Sequence, residues 1–140
     1  MALLNRDILL KKEVLKIKKV DLGDEEFVFV RQMTGRERDR FEQSLMYEKR
    51  DKRGNITFER SLEDFRAKLA VHTVCDEAGN NLLQPEDYPT LSQNMSAARL
   101  ELIVNEAQEL NRISAVDREN LIKNSEAAQS GDSISDSVES

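Results

Sequence analysis

The segment AKLAVHTVCDEAGNNLL, from Ala67 to Leu83, decides the fold because it joins the end of a helix to a turn that stops it. Apolar residues at helical spacing predict a helix over residues 61–75, which begins at Ser61. Gly79 can adopt a left-handed backbone conformation without steric cost, so the turn around it ends this helix. Nothing in the segment is arranged for chemistry, and we expect it to build surfaces.

Downstream of this turn, the sequence predicts two further helices. Pro85 suits the first position of a single turn, which Pro89 is expected to stop. A long amphipathic helix is predicted over residues 94–111, and a short helix follows over residues 115–124. The apolar face of the long helix recurs at helical spacing and comprises Leu100, Ile103, Val104, Ala107 and Leu110.

Upstream, the chain begins with a short helical segment that Asn5 caps, followed by a β-hairpin over residues 14–33 with a Gly-Asp turn. Consecutive lysines in the first strand indicate a bulge or an exposed edge. Thr34 and Glu37 form a capping-box pattern, which predicts a helix over residues 35–49. The polar residues 47–60 are expected to form an exposed loop that joins this helix to the next.

Taken together, these elements predict an α+β fold that is mainly α, with the N-terminal hairpin packed on a small bundle of about four helices. Residues 1–125 are expected to form the domain. Residues 126–140 are rich in serine and acids, have little apolar surface and are expected to be disordered.

Composition excludes several classes of function. The net charge is -6, but residues after Lys123 contribute four acids and no base, which leaves 21 minus 23, or -2, for residues 1–125. A nearly neutral domain lacks the positive field that attracts nucleic acids. No stretch is long and apolar enough to span a membrane, and the mixed start of the chain resembles neither a signal nor an anchor. A single cysteine fits a reducing cytoplasm.

The residues that could carry chemistry are few. His72 and Cys75 lie three positions apart without a third orienting group, and the acids at 76 and 77 would raise a thiol pKa. One histidine and one cysteine cannot supply a zinc site, and the oxygen-bearing residues 76–81 lack the spacing of a calcium loop. We therefore expect no enzyme activity: no catalytic residue, no cofactor site and no metal site.

The order of several segments resembles the tail assembly chaperone family of long-tailed bacteriophages and prophages. The resemblance covers nearly the whole domain, and it rests on the conjunction of segments because no single one is highly specific. The chain departs from the family at Leu83-Gln84, where members often have an aromatic residue. The similar segments are RDIL (Arg6 to Leu9), FVFVRQMTGRERDRFE (Phe27 to Glu42), FRAKLAVHTVCDEAGNNLL (Phe65 to Leu83), SAARLELIVNEAQELN (Ser96 to Asn111) and ISAVDRENLIKNSEAA (Ile113 to Ala128).

This resemblance implies a non-enzymatic role in the host bacterial cytoplasm. Family members coat the helical tape measure protein and are displaced when the tail tube protein polymerises around it, so they are absent from the mature virion. In many relatives a ribosomal frameshift adds a second domain that recruits tail tube subunits, and the polar residues 126–140 would suit a tether to such a domain.

A helix-in-groove contact with the tape measure protein would need exposed apolar residues. The candidate contacts are Met33, Met46 and Met95, whose thioethers adapt to varied partners, and Leu69 and Ile103, on the helices that could form a groove. For each of these residues, a place in the protein's own core is the more common use. Self-association also stays open.

Two other classes of function stay open. A small adaptor would share the capped helices and charged faces, and it would have a defined protein partner. A nucleic-acid-binding regulator would need the basic residues between Arg36 and Arg53 to project as one face, although acids dilute them to a balance of plus two.

Overall fold

The computed structural model describes residues 1–113, which form five α-helices, a single 3-10 turn and five short β-strands. The predicted α+β class is confirmed. The predicted helix 115–124 and the predicted disordered tail 126–140 lie outside the described residues. The elements in chain order are α1 (Arg6–Leu9), β1 (Ile17–Gly23), β2 (Glu26–Arg31), α2 (Gly35–Ser44), β3 (Met46–Arg50), β4 (Ile56–Arg60), α3 (Phe65–Thr73), β5 (Val74–Cys75), the 3-10 turn (Pro85–Asp87), α4 (Tyr88–Asn94) and α5 (Ala97–Leu110).

The first hairpin, β1 and β2, forms a three-stranded antiparallel sheet with β5 in the order β1-β2-β5. The register of β1 against β2 shifts between Asp21 and Gly23, so the irregularity lies after the two lysines, Lys18 and Lys19, and not at them. The lysines instead lie on an exposed edge strand, where their charge hinders pairing with another chain.

The core consists of two apolar clusters, and α3 and α5 contribute to both. The first cluster lies between the sheet and these helices and contains Val20, Leu22, Val30, Ala70, Val74, Leu100 and Ile103. The second cluster joins α2 to α3 and α5 and contains Phe41, Leu45, Phe65, Leu69, Val104, Ala107 and Ile113. Together α3 and α5 form the centre of the domain, with the sheet and α2 packed against them.

The predicted start of α2 is confirmed, and both α2 and α5 begin with side-chain caps. Thr34 accepts a hydrogen bond from the Glu37 N–H at 3.2 Å, and Glu37 accepts one from the Thr34 N–H at 2.9 Å, which completes the capping box of α2. Ser96 caps α5 through the Arg99 N–H at 3.2 Å, so this helix begins three residues after the start of the predicted range 94–111. Both signals are local, because cap and capped groups are three residues apart.

The predicted helix 35–49 is wrong in its last third. Helix α2 ends at Ser44, and residues 46–60 form a second antiparallel hairpin, β3 and β4, where an exposed loop was expected. The Ser61 N–H donates to the Leu45 carbonyl at 2.6 Å and closes the base of this hairpin. Pairing across the hairpin satisfies backbone groups that a loop would leave to water.

The segment around α3 and α4 also differs from expectation. The predicted start of α3 at Ser61 is wrong, because the helix begins at Phe65 after Asp64, whose backbone is left-handed at φ 60°. The last two predicted positions of the range 61–75 form β5. Pro89 does not stop a helix but lies in the first turn of α4, where a missing N–H costs nothing. Gly79 takes the predicted positive φ, 89°, but the turn around it follows β5 and does not end α3, which stops at Thr73.

Candidate partner-binding surfaces

His72 and Cys75 are built into the core and do not form a reactive pair. The His72 ring hydrogen-bonds the Lys68 carbonyl through Nδ1 at 2.8 Å and packs edge-on against Phe41. Burial raises the pKa of the Cys75 thiol, which Arg31 only partly offsets, whereas a nucleophilic cysteine needs a lowered pKa. Within residues 1–113, no group of three or more histidine, cysteine or acidic residues is placed to hold a metal ion.

A buried arginine organises the polar residues between the sheet and α2. The Arg31 guanidinium donates to Glu37 at 2.6 Å, to the Asn81 side chain at 2.9 and 3.1 Å, and to the Gln32 carbonyl at 3.0 Å. Burial disfavours the Glu37 charge, but hydrogen bonds from Arg31 and from the Thr34 N–H outweigh it and lower the Glu37 pKa. These groups satisfy one another, so we assign the cluster to folding and not to a ligand.

The five predicted contact residues divide into three groups. Leu69 and Ile103 are fully buried, one in each core cluster, so a partner cannot reach either side chain in this conformation. Met33 and Met95 are half-buried against these clusters, and they fill gaps at the margin of the core. Only Met46, at the start of β3, is 41% exposed and can reach a partner.

The N-terminal segment, residues 1–14, forms the first exposed apolar surface. Asn5 accepts a hydrogen bond from the Ile8 N–H at 3.0 Å and starts α1, which contains no buried residue. The large apolar residues of the segment are all at least 49% exposed; they are Met1, Leu3, Leu4, Ile8, Leu9, Leu10 and Val14. Single exposed apolar residues are normal on a protein surface, but so many within one short segment are not.

The second exposed apolar surface lies on the hairpin of β3 and β4, which we call the outer hairpin (residues 46–60). Its cross-strand pairs are Met46 with Arg60, Tyr47 with Glu59, Glu48 with Phe58, Lys49 with Thr57 and Arg50 with Ile56. Because side chains alternate between faces, one face carries Met46, Phe58 and Ile56. Sequence analysis missed this surface, although the alternation of Ile56 and Phe58 after a Gly-Asn turn could have indicated it.

The tip of the outer hairpin is a tight turn held by Asp51. Its carboxylate accepts hydrogen bonds from the Arg53 and Asn55 N–H groups at 2.8 Å, and the Asn55 N–H is the main cause of its lowered pKa. Gly54 takes a positive φ of 85° in this turn. The Asp51 carboxylate is therefore hydrogen-bonded within the turn.

The basic residues between Arg36 and Arg53 do not lie on one continuous element. Those before Phe41 belong to α2, where Arg38 pairs with Glu42 at 3.0 Å, and those after Glu48 belong to the outer hairpin. The segment is therefore divided between a helix and a hairpin.

No helix among the described residues is both long and apolar enough to cross a membrane. Comparisons of the chain with protein-family models, with curated proteins and with solved structures gave no match.

Proposed function

We propose that this protein is a tail assembly chaperone that binds the tape measure protein of a long-tailed phage in the host bacterial cytoplasm. It would keep the tape measure protein soluble until tail tube protein polymerises, and it would then be displaced. The proposal starts from the resemblance of five segments to this family. The observation that carries it is the exposure of apolar side chains on two surfaces, the N-terminal segment and the outer hairpin, outside both core clusters.

These surfaces suit a partner that is long and helical. A tape measure helix exposes apolar stripes along its length, and shielding them requires many copies of a modest contact. Each surface offers apolar side chains among charged residues. Such surfaces support weak, repeated and reversible binding, which displacement by tail tube protein would require.

Two parts of the proposal rest on the resemblance alone. The first is recruitment of tail tube protein through a longer, frameshifted form, for which residues 126–140 would act as a tether. The second is the absence of the chaperone from the finished tail. Both expectations follow from the role of the family. A defined protein partner, with no phage structural genes near the gene of this protein, would instead favour the adaptor alternative.

The proposal is tested by expressing the tape measure protein of the same genome with and without this protein. We expect the tape measure protein to be insoluble alone and soluble when co-expressed. A variant that replaces Leu3, Ile8, Leu9 and Leu10 by serine should leave more tape measure protein in the pellet, because these exposed residues make no core contact. Leu102→Ser, which changes an exposed leucine of α5, is the matched control. Equal insolubility with and without the wild-type protein would contradict the proposal.

A further inference from the structure

The outer hairpin exposes its apolar face and buries part of its polar face. Glu59 is only 8% exposed and accepts a hydrogen bond from the Tyr47 hydroxyl at 2.8 Å, while Lys49 lies 3.8 Å away on the same face. Phe58, the next residue along the strand, points to the opposite face and is 65% exposed. A hairpin selected only for folding would have the reverse arrangement, with polar residues towards water.

Three apolar residues form a continuous stripe on the exposed face. Phe58 lies two positions from Ile56 on β4 and is the diagonal neighbour of Met46 on β3, so Phe58 connects the other two side chains, which lie at opposite ends of the stripe. Five residues of strand extend about 13 Å, which matches about two and a half turns of an α-helix. The stripe can therefore receive helical side chains at positions i, i+3 or i+4, and i+7.

The outer hairpin is basic although the protein is acidic. Residues 46–60 contain five Lys and Arg and three Asp and Glu, a balance of +2, so the rest of the chain, at a total of -6, carries -8. Glu48 pairs with Arg50 at 3.2 Å, and Glu59 pairs with Lys49 at 3.8 Å. The positive excess therefore lies mainly at the tip, where Lys52 and Arg53 outnumber the single acid of the turn, Asp51. The field that the hairpin presents to a partner is therefore positive.

From this arrangement we infer that the outer face of the hairpin binds an amphipathic helix that carries acidic residues beside its apolar stripe. Met46, Ile56 and Phe58 contact the apolar stripe, and the cations at the tip, Lys52 and Arg53, attract the flanking acids. This inference rests on the proposed function, since it places that helix on the tape measure protein. It adds that the tape measure segments bound here are acidic.

A binding assay with the full-length tape measure protein tests the inference. We expect Phe58→Ser to weaken capture about tenfold or more, because a central aromatic contact is lost. Phe27→Ser is the matched control, since Phe27 is 49% exposed on the first hairpin and should change capture less than about twofold. Circular dichroism and thermal unfolding confirm that both variants fold. Equal capture by wild type and Phe58→Ser would overturn the inference while leaving the proposed function intact.

A second readout does not depend on the stability of the serine variant. Phe58 is replaced by the photo-crosslinker p-benzoylphenylalanine, and the crosslinked tape measure peptides are identified by mass spectrometry. We expect crosslinks in helical segments with glutamate or aspartate beside the apolar positions, and few from the same crosslinker at position 27. Crosslinks equally frequent from both positions, or confined to segments without acids, would overturn the inference.

Two further outcomes would also overturn it. If wild-type protein fails to capture the tape measure protein, the proposed function fails, and the identity of the helix fails with it. If the hairpin instead binds a single-stranded 20-mer oligonucleotide, and Arg53→Glu abolishes this binding while tape measure capture is unchanged, the cations serve a nucleic acid.

Discussion

Replacing Leu69 by alanine should destabilise the protein strongly, because Leu69 is fully buried in the second core cluster. Removing its terminal carbons loses about 2.5 kcal/mol of apolar transfer free energy, at about 0.8 kcal/mol per carbon. A residual cavity of roughly 60 Å³ adds about 1.5 kcal/mol. The free energy of unfolding should therefore fall by about 4 kcal/mol, and the melting temperature by roughly 15 °C.

Urea unfolding followed by circular dichroism measures this change, with Leu102→Ala as the control. Leu102 lies on α5 and is 43% exposed, so the same substitution there should cost less than about 1 kcal/mol. Leu69→Ala should still bind the tape measure protein once the unfolded fraction is taken into account. A Leu69→Ala variant with near wild-type stability and lost binding would refute the assignment of Leu69 to the core.

Two further predictions concern the turn after β5 and the buried ion pair. Gly79→Ala should lower the free energy of unfolding by about 1–2 kcal/mol, because φ at this position is +89° and the new Cβ would lie 3.2 Å from Ile17 Cδ1. In the same urea titration, the control Gly35→Ala should be neutral or stabilising by up to about 1 kcal/mol, because its new Cβ meets nothing within 4 Å. Equal losses of stability in the two variants would contradict this account. The folded-state pKa of Glu37 lies below its usual value, since hydrogen bonds from Arg31 and a main-chain N–H outweigh burial, so its ionised form stabilises the fold above about pH 4.3 and this contribution is lost as pH falls through the lowered pKa. Glu37→Gln should be less stable than wild type at pH 7, and its melting temperature should fall less than that of wild type between about pH 6 and pH 3. If the melting temperatures of the two proteins fall in parallel across this range, the carboxylate contributes nothing to stability.

Several parts of the fold could be predicted because their signals are local. Thr34 and Glu37 identify the start of α2 from a spacing of three residues. The first hairpin follows from β-prone residues on both sides of a short turn. In each case the groups that bond one another are close in the sequence, so no knowledge of the tertiary structure was needed.

The outer hairpin could not be predicted in the same way, because its stabilising contacts cross from one strand to the other. Glu59 pairs with Tyr47 and Lys49, which lie 12 and 10 positions earlier, and the polar sequence between them resembles a loop. Pro89 was misread for a different reason. Proline at a first helical turn and proline after a helix end give the same sequence signal, and only packing separates them.

The candidate surface was predicted only in part. Met46 was identified as an adaptable contact and is exposed on the outer hairpin, whereas Leu69 and Ile103 belong to the core. Phe58 is the most exposed residue of the apolar stripe, and the sequence does not indicate it because the polar residues around it are typical of a loop. Sequence periodicity shows which residues share a face, but the rest of the fold determines which face is covered.

Measuring the mass of the complex formed with the tape measure protein tests the central claim most directly. The tagged protein is co-expressed with the tape measure protein of the same genome, and the purified species is analysed by size-exclusion chromatography with light scattering. We predict a soluble complex that contains many copies of this protein for each tape measure chain. A monodisperse protein that purifies without the tape measure protein would contradict the chaperone role.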